Sequence, residues 1–176
     1  MKPMSDIPEN FDADIATLVA ALSCGDLDEH EIARIVGICR QALENPAAVL
    51  AENYGTEAAE VAQYDPQGVI AFIVFIELED YFAVADTVDE LHEQILAAFE
   101  APQLPDYPYD GNDFETISDY FQWLDAQLLE HHAAYRLIHF GQSYTNDFQT
   151  VLVHREGTDS LLALCRKLKL EAEYCE

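Results

Sequence analysis

Apolar residues recur at helical spacing through the first half of this chain. Ile15, Leu18, Val19 and Leu22 share one helical face, and Gly25 ends it. Asp28 followed by Glu31 has the form of a capping pair, ahead of the stripe Ile32, Ile35, Val36, Cys39 and Leu43. Asn45–Pro46 restarts a helix with proline in its first turn, and Gly55 stops it. An alanine-rich stretch over 57–63 reads as one further short helix. Residues 1–10, with two prolines, read as a loose lead-in. Asp65–Pro66 is another start signal. The apolar run 69–76 behind it fits two elements. Its β-branched and aromatic content favours a buried strand. Its capped start and its continuation into Glu77–Leu78–Glu79 favour a buried helix, which is the reading taken.

The pattern changes near residue 81. Residues 81–85 read as a short strand. Thr87 and Glu90 form a capping box before the stripe Val88, Leu91, Ile95 and Phe99. Residues 101–112 form a loop with three prolines and two tyrosines. Asp113 is read as opening a long helix with Phe114, Ile117, Phe121, Leu124 and Leu128 on one face, and His131 and His132 in its last turn. Residues 135–140 and 148–155 read as strands joined by a hairpin over 141–147. Thr158 is read as capping a helix with the stripe Leu161, Leu164, Cys165 and Leu168. Arg166, Lys167 and Lys169 follow at its end, where cations complement the helix dipole. Residues 170–175 alternate as a strand buried on one face does. With the two middle helices counted as one crossover, the order is βαββαβ, the split-βαβ plan. The fold class is therefore α+β: a helical N-terminal half packed with a small βαββαβ-type, mostly antiparallel sheet, in one domain over 1–176.

Composition supports a folded chain. Half of the 176 residues are hydrophobic, which argues against disorder despite the charge. The net charge is −26, from 34 acids and 8 bases. Such a surface repels nucleic acid and anionic membranes, and steers a basic partner or cations. Residues 41–135 hold 20 acids and no Lys or Arg, whereas 136–170 hold five bases against three acids. The expected molecule is polarised, with an acidic body and a mildly basic C-terminal portion. Cys24, Cys39, Cys165 and Cys175 make no CxxC pair and no zinc-finger spacing, so they are read as reduced thiols of a cytoplasmic protein. The first eleven residues lack the apolar run of a signal peptide, and the longest apolar run is far short of a membrane span.

Chemistry-bearing motifs are sparse. The loop from Asp106 invites a calcium reading, with Gly111 at the turn position. But Pro108 occupies the third position and Ile117 the twelfth, where a bidentate Glu is needed. His131 and His132 are adjacent on a helix and do not face one site. His139 and His154 lie on neighbouring strands, where proton transfer would need a carboxylate and a pocket. Ser143 lies in GQSYT, which lacks the second glycine of GxSxG, and no phosphate-binding glycine motif occurs. No metal, cofactor or catalytic residue is assigned. The best contact surface is the tyrosine-bearing loop and the acids around it: Asp106, Tyr107, Tyr109, Asp110, Asp113, Glu115 and Asp119. Aromatics anchor and acids orient a basic protein partner; the competing reading packs the two tyrosines onto the core. Trp123 is expected to be partly buried beside the helix stripe.

The segments YFAVADTVDELHEQI, YRLIHF and DFQTVLVHREGTDSLLALCRKLKL resemble an uncharacterised bacterial family known only as a domain of unknown function. The resemblance covers about the C-terminal half. It implies a small α+β bacterial protein and brings no activity or functional residues. Three functions stay open. The first is an acidic protein-binding protein, such as an immunity protein that blocks a basic toxin or effector. The second is an enzyme acting on a small cationic or neutral metabolite. The third is a nucleic-acid mimic. The oligomeric state is open.

Overall fold

The computed structural model describes residues 9–99, 103–110, 113–144 and 146–176. Helices α1 (Phe11–Leu22), α2 (Glu29–Glu44), α3 (Pro46–Tyr54) and α6 (Val69–Glu77) build the N-terminal half, with single turns α4 (Thr56–Ala59) and α5 (Val61–Tyr64) between them. Strand β1 (Phe82–Ala85), helices α7 (Val88–Ala97) and α8 (Ile117–His131), strands β2 (Tyr135–Phe140) and β3 (Phe148–His154), helix α9 (Thr158–Lys167) and strand β4 (Ala172–Tyr174) follow. The class is α+β, with a small antiparallel sheet.

The sheet has the order β1-β3-β2-β4, and every neighbouring pair is antiparallel. Its side chains alternate between two cores. Ile138, Phe140, Val151 and Val153 face α1, α2, α6 and α9. Ala85, Leu137, Phe148 and Cys175 face α7 and α8. The sheet is thus the middle of three layers. This placement follows from strand order. The crossovers β1 to β2 and β3 to β4 each step past one strand in the same lateral direction, but start from strands of opposite sense. Two crossovers of one hand must then lie on opposite faces, and α7–α8 and α9 do.

The apolar run 69–76 is helical. An apolar helix without a polar face belongs in an interior, and Val69, Ala71, Ile73 and Val74 are buried. Asp28 caps α2 through Glu31 N at 2.8 Å. Thr87 accepts from Glu90 N at the start of α7.

At three helix boundaries the structure departs from expectation, and the strand expected over 170–175 shortens to β4, Ala172–Tyr174. The long helix opens at Ile117, not at Asp113. Thr116 is its cap, and the Thr116 and Asp119 side chains satisfy each other's backbone N–H groups in a full capping box. Ile117 consequently turns outward and is 53% exposed. Thr158 is not a cap but the first residue of α9, its hydroxyl donating to His154 O and Arg155 O. The cap position belongs to Gly157, whose φ of 89° suits glycine alone. The alanine-rich stretch breaks at Glu60 into two turns, so that Val61 is buried while Tyr64 stays out.

At the outer edge of β1, Gln94 of α7 lays its amide on the backbone of Val84. Its Nε2 donates to Val84 O at 2.5 Å and its Oε1 accepts from Val84 N at 2.8 Å. Among the described residues no helix is long and apolar enough to cross a membrane.

Candidate functional site

The α7–α8 layer carries the tyrosine loop, and one buried histidine holds that loop down. His92 follows Leu91 on the inner face of α7 and is fully buried. Its Nε2 meets Pro105 O at 2.7 Å and its Nδ1 meets the Tyr120 hydroxyl at 3.0 Å. A carbonyl only accepts, so Nε2 carries the proton, and Nδ1 accepts from Tyr120. Burial pushes the His92 pKa down, against the opposing pull of the Pro105 carbonyl and Asp106. The imidazole is therefore a neutral clasp between α7, α8 and the proline-rich strap over 104–109. Tyr107, Tyr120 and Trp123 surround its ring at centroid distances of 5.3–6.0 Å.

The two loop tyrosines divide the two readings between them. Tyr107 packs down among His92, Phe114 and Tyr120. Tyr109 is 64% exposed. It leans on Tyr107 edge to face at 5.0 Å and donates to Asp89 Oδ2 at 3.3 Å. Asp106, Asp110, Asp113 and Glu115 are exposed. Asp119 has a structural task, its Oδ2 accepting from the N–H groups of Glu115 and Thr116. Gly111 and Asn112 lie outside the described residues. Asp89 and Glu93, one turn apart on α7, complete the acid frame, since both carboxylates act on the Tyr109 hydroxyl. Their helical spacing was readable; their facing the strap was not.

The bases redraw the charge map. Lys167 pairs with Asp14 of α1 at 2.7 Å, and Arg155 pairs with Asp125 of α8 at 2.7 Å. Arg136 sits 3.7 Å over the Tyr174 ring and 3.6 Å from Glu176. Arg34 bridges Glu31 and Glu77, and Arg40 pairs with Asp12. Much of the positive charge of the C-terminal portion is thus answered within the molecule, and the expected basic pole shrinks to Arg166 and Lys169. Arg155, already held by Asp125, is the base that reaches the α7–α8 layer among the described residues.

The other candidates are placed as follows. His132 ends α8 and stacks on Phe99 at 3.9 Å. His154 is exposed and stacks on Tyr135. His139 lies beneath Phe121 at 5.4 Å and opposite Glu173 of β4, on a cavity of about 330 Å³. Burial pushes its pKa down while Glu173 pulls it up. Burial raises the Cys39 thiol to about 12 and the Cys165 thiol to about 11, so neither is a thiolate at neutral pH. All four cysteines are unpaired. No group of three His, Cys, Asp or Glu residues able to hold a metal occurs among the described residues.

Ser143 belongs to a different place, a cleft between α3, α6 and the β2–β3 connection. Its rings come from segments far apart in sequence, and no local motif announced it. Comparison with protein-family models, curated proteins and solved structures found no match for this chain.

Proposed function

We propose that this chain is an acidic protein-binding protein of a bacterial cytoplasm, engaging a basic partner through the α7–strap–α8 face in the way an immunity protein covers a cationic toxin or effector. The observation that carries this reading is Tyr109: an exposed aromatic, fixed from behind by the Tyr107–His92 clasp and framed by Asp89 and Glu93. A rigid aromatic loses little entropy when it docks, and a base-free acidic frame speeds the approach of a cationic partner. The unpaired cysteines suit a reducing compartment. The bacterial setting rests on the resemblance of the C-terminal half.

The test is retention of proteins from bacterial extract on the immobilised chain, with elution by salt. Basic proteins are expected to elute, with association slowing about tenfold as salt screens the face. The double variant Tyr109→Ala/Asp89→Asn should lose them, while Glu44→Gln/Glu52→Gln, on α2 and α3, should keep them. Recovery of acidic or neutral proteins, or equal behaviour of the two variants, sinks the proposal.

A second reading, an enzyme on a small cationic or neutral metabolite, draws support from His139 and Glu173 sharing one cavity. No hydrogen bond joins the two side chains, and no activated nucleophile stands beside them. Turnover of a metabolite that His139→Gln abolishes would move the weight to it.

A further inference from the structure

We propose that the cleft between α3, α6 and the β2–β3 connection binds a small organic cation carrying an alkylated ammonium group. The cavity has a volume of about 400 Å³, the size of a small metabolite site. Five rings line it: Tyr54, Tyr64, Phe72, Phe75 and Tyr144. The ring faces of Tyr and Phe carry negative quadrupole density, which attracts a cation and gives nothing to an anion. Among the described residues no Lys or Arg is in the lining, whereas the exposed Glu57 is. The long-range field of a chain with net charge −26 draws cations toward it.

The cleft is built, not incidental. The Tyr144 hydroxyl donates to Asp65 Oδ2 at 2.6 Å, and the Tyr54 hydroxyl donates to Glu77 Oε1 at 2.8 Å. Arg34 fixes Glu77 in turn at 2.5 Å. A phenol that donates to a carboxylate has spent its proton there. It cannot offer that proton to an anionic ligand, and its ring is richer in electrons. Tyr144 is also held edge to face by Tyr64 at 5.4 Å and touched by Phe72 at 6.0 Å. Gly68 makes room for this arrangement. A Cβ there would fall 2.2 Å from Asp65 Oδ2 and 2.6 Å from the Tyr144 hydroxyl. The lining also holds Gln149, whose side chain is buried and anchored by donating to Phe140 O at 2.8 Å. A ligand with a cationic head and a polar tail suits rings and amide together. The cleft lies on the α6 side of the sheet, away from α7 and α8, so this proposal and the protein-binding one stand or fall separately.

The experiment is calorimetric and NMR titration of the full chain with choline and with 3,3-dimethylbutan-1-ol, the neutral isostere in which carbon replaces nitrogen. Choline is expected to bind about tenfold more tightly than the isostere. Tyr64→Leu, at a ring that is 59% exposed, should weaken choline about fivefold or more. Gly68→Ala should do the same by displacing Tyr144, with thermal melts confirming that both variants fold. Equal binding of choline and the isostere overturns the proposal, as does the absence of any choline shift or heat up to about 10 mM. Two further arms separate the sources of the ammonium group, a trimethyl-lysine peptide and phosphatidylcholine vesicles. Binding of free choline alone marks a soluble metabolite. Added capture of the peptide or the vesicles marks a modified protein or a lipid headgroup, and each of these results supports the site.

Discussion

Two residues sit where their own chemistry is at odds with their place. Lys169 follows α9 with φ of 61°, the left-handed conformation that closes the helix through Leu170 N to Cys165 O at 2.8 Å. That is a glycine position occupied by a side chain with a Cβ. Lys169→Gly should therefore stabilise the fold by about 0.5–1 kcal/mol in urea unfolding, although it removes a cation from a helix C-terminus. His92 is the other. Its folded-state pKa lies below its ordinary value because burial disfavours the charged ring. As pH falls below about 6.5, the unfolded chain takes up a proton that the folded chain refuses. The His92 contribution is thus complete above that pH and declines as the pH drops toward the folded-state pKa. His139, lowered for the same reason, adds with the same sign. Urea unfolding at pH 7.5 and 5.5 should show this decline in the native chain. His92→Phe should be less stable at pH 7.5 by about 1–3 kcal/mol, from the loss of both ring hydrogen bonds, but should decline less between the two pH values. An equal decline in both chains would remove His92 from the account.

At the scale of elements, the start of α8 separates what was readable from what was not. Asp113 and Thr116 are both good caps. Thr116 wins because Asp119 stands three residues on and returns the hydrogen bond, a signal present in the sequence but carried by Asp where Glu or Gln is usual. Thr116→Ala should cost about 1 kcal/mol, and Asp113→Ala should be close to neutral, in thermal or urea unfolding. The helical stripes and the β2–β3 hairpin were legible because periodicity is local. Strand order was not, because whether β4 docks beside β1 or β2 depends on contacts between remote segments. His92 was half legible: Val88, Leu91 and Ile95 define a buried face that also contains it, but a histidine there reads as polar until Pro105 and Tyr120 are seen. Tyr107 and Tyr109 were legible as a loop pair, and only packing shows that one anchors while the other is presented. The cleft of Tyr54, Tyr64, Phe72, Phe75 and Tyr144 was illegible, since it exists only once α3, α5, α6 and the β2–β3 connection have met.

For the whole molecule, net charge of −26 means that like charges repel throughout the folded state. Several exposed ion pairs act in the opposite sense, but such pairs contribute little individually. Raising sodium chloride from about 20 to 300 mM should therefore raise the melting temperature. A falling melting temperature would mean that the ion pairs outweigh the repulsion. The same screening exposes a second hazard. Repulsion between molecules holds at arm's length, over about 10 Å at ordinary salt, whereas a strand edge recruits a neighbour at hydrogen-bond range. Once salt lets two copies touch, the guard at β1 is Gln94, whose amide occupies the outward donor and acceptor of Val84 as a fifth strand would. Gln94→Leu should leave the assembly state of the native chain unchanged at low salt and produce larger species by light scattering at high salt, where the native chain does not grow. A single amide would then be what keeps the β1 edge closed in the conditions where charge no longer holds copies apart.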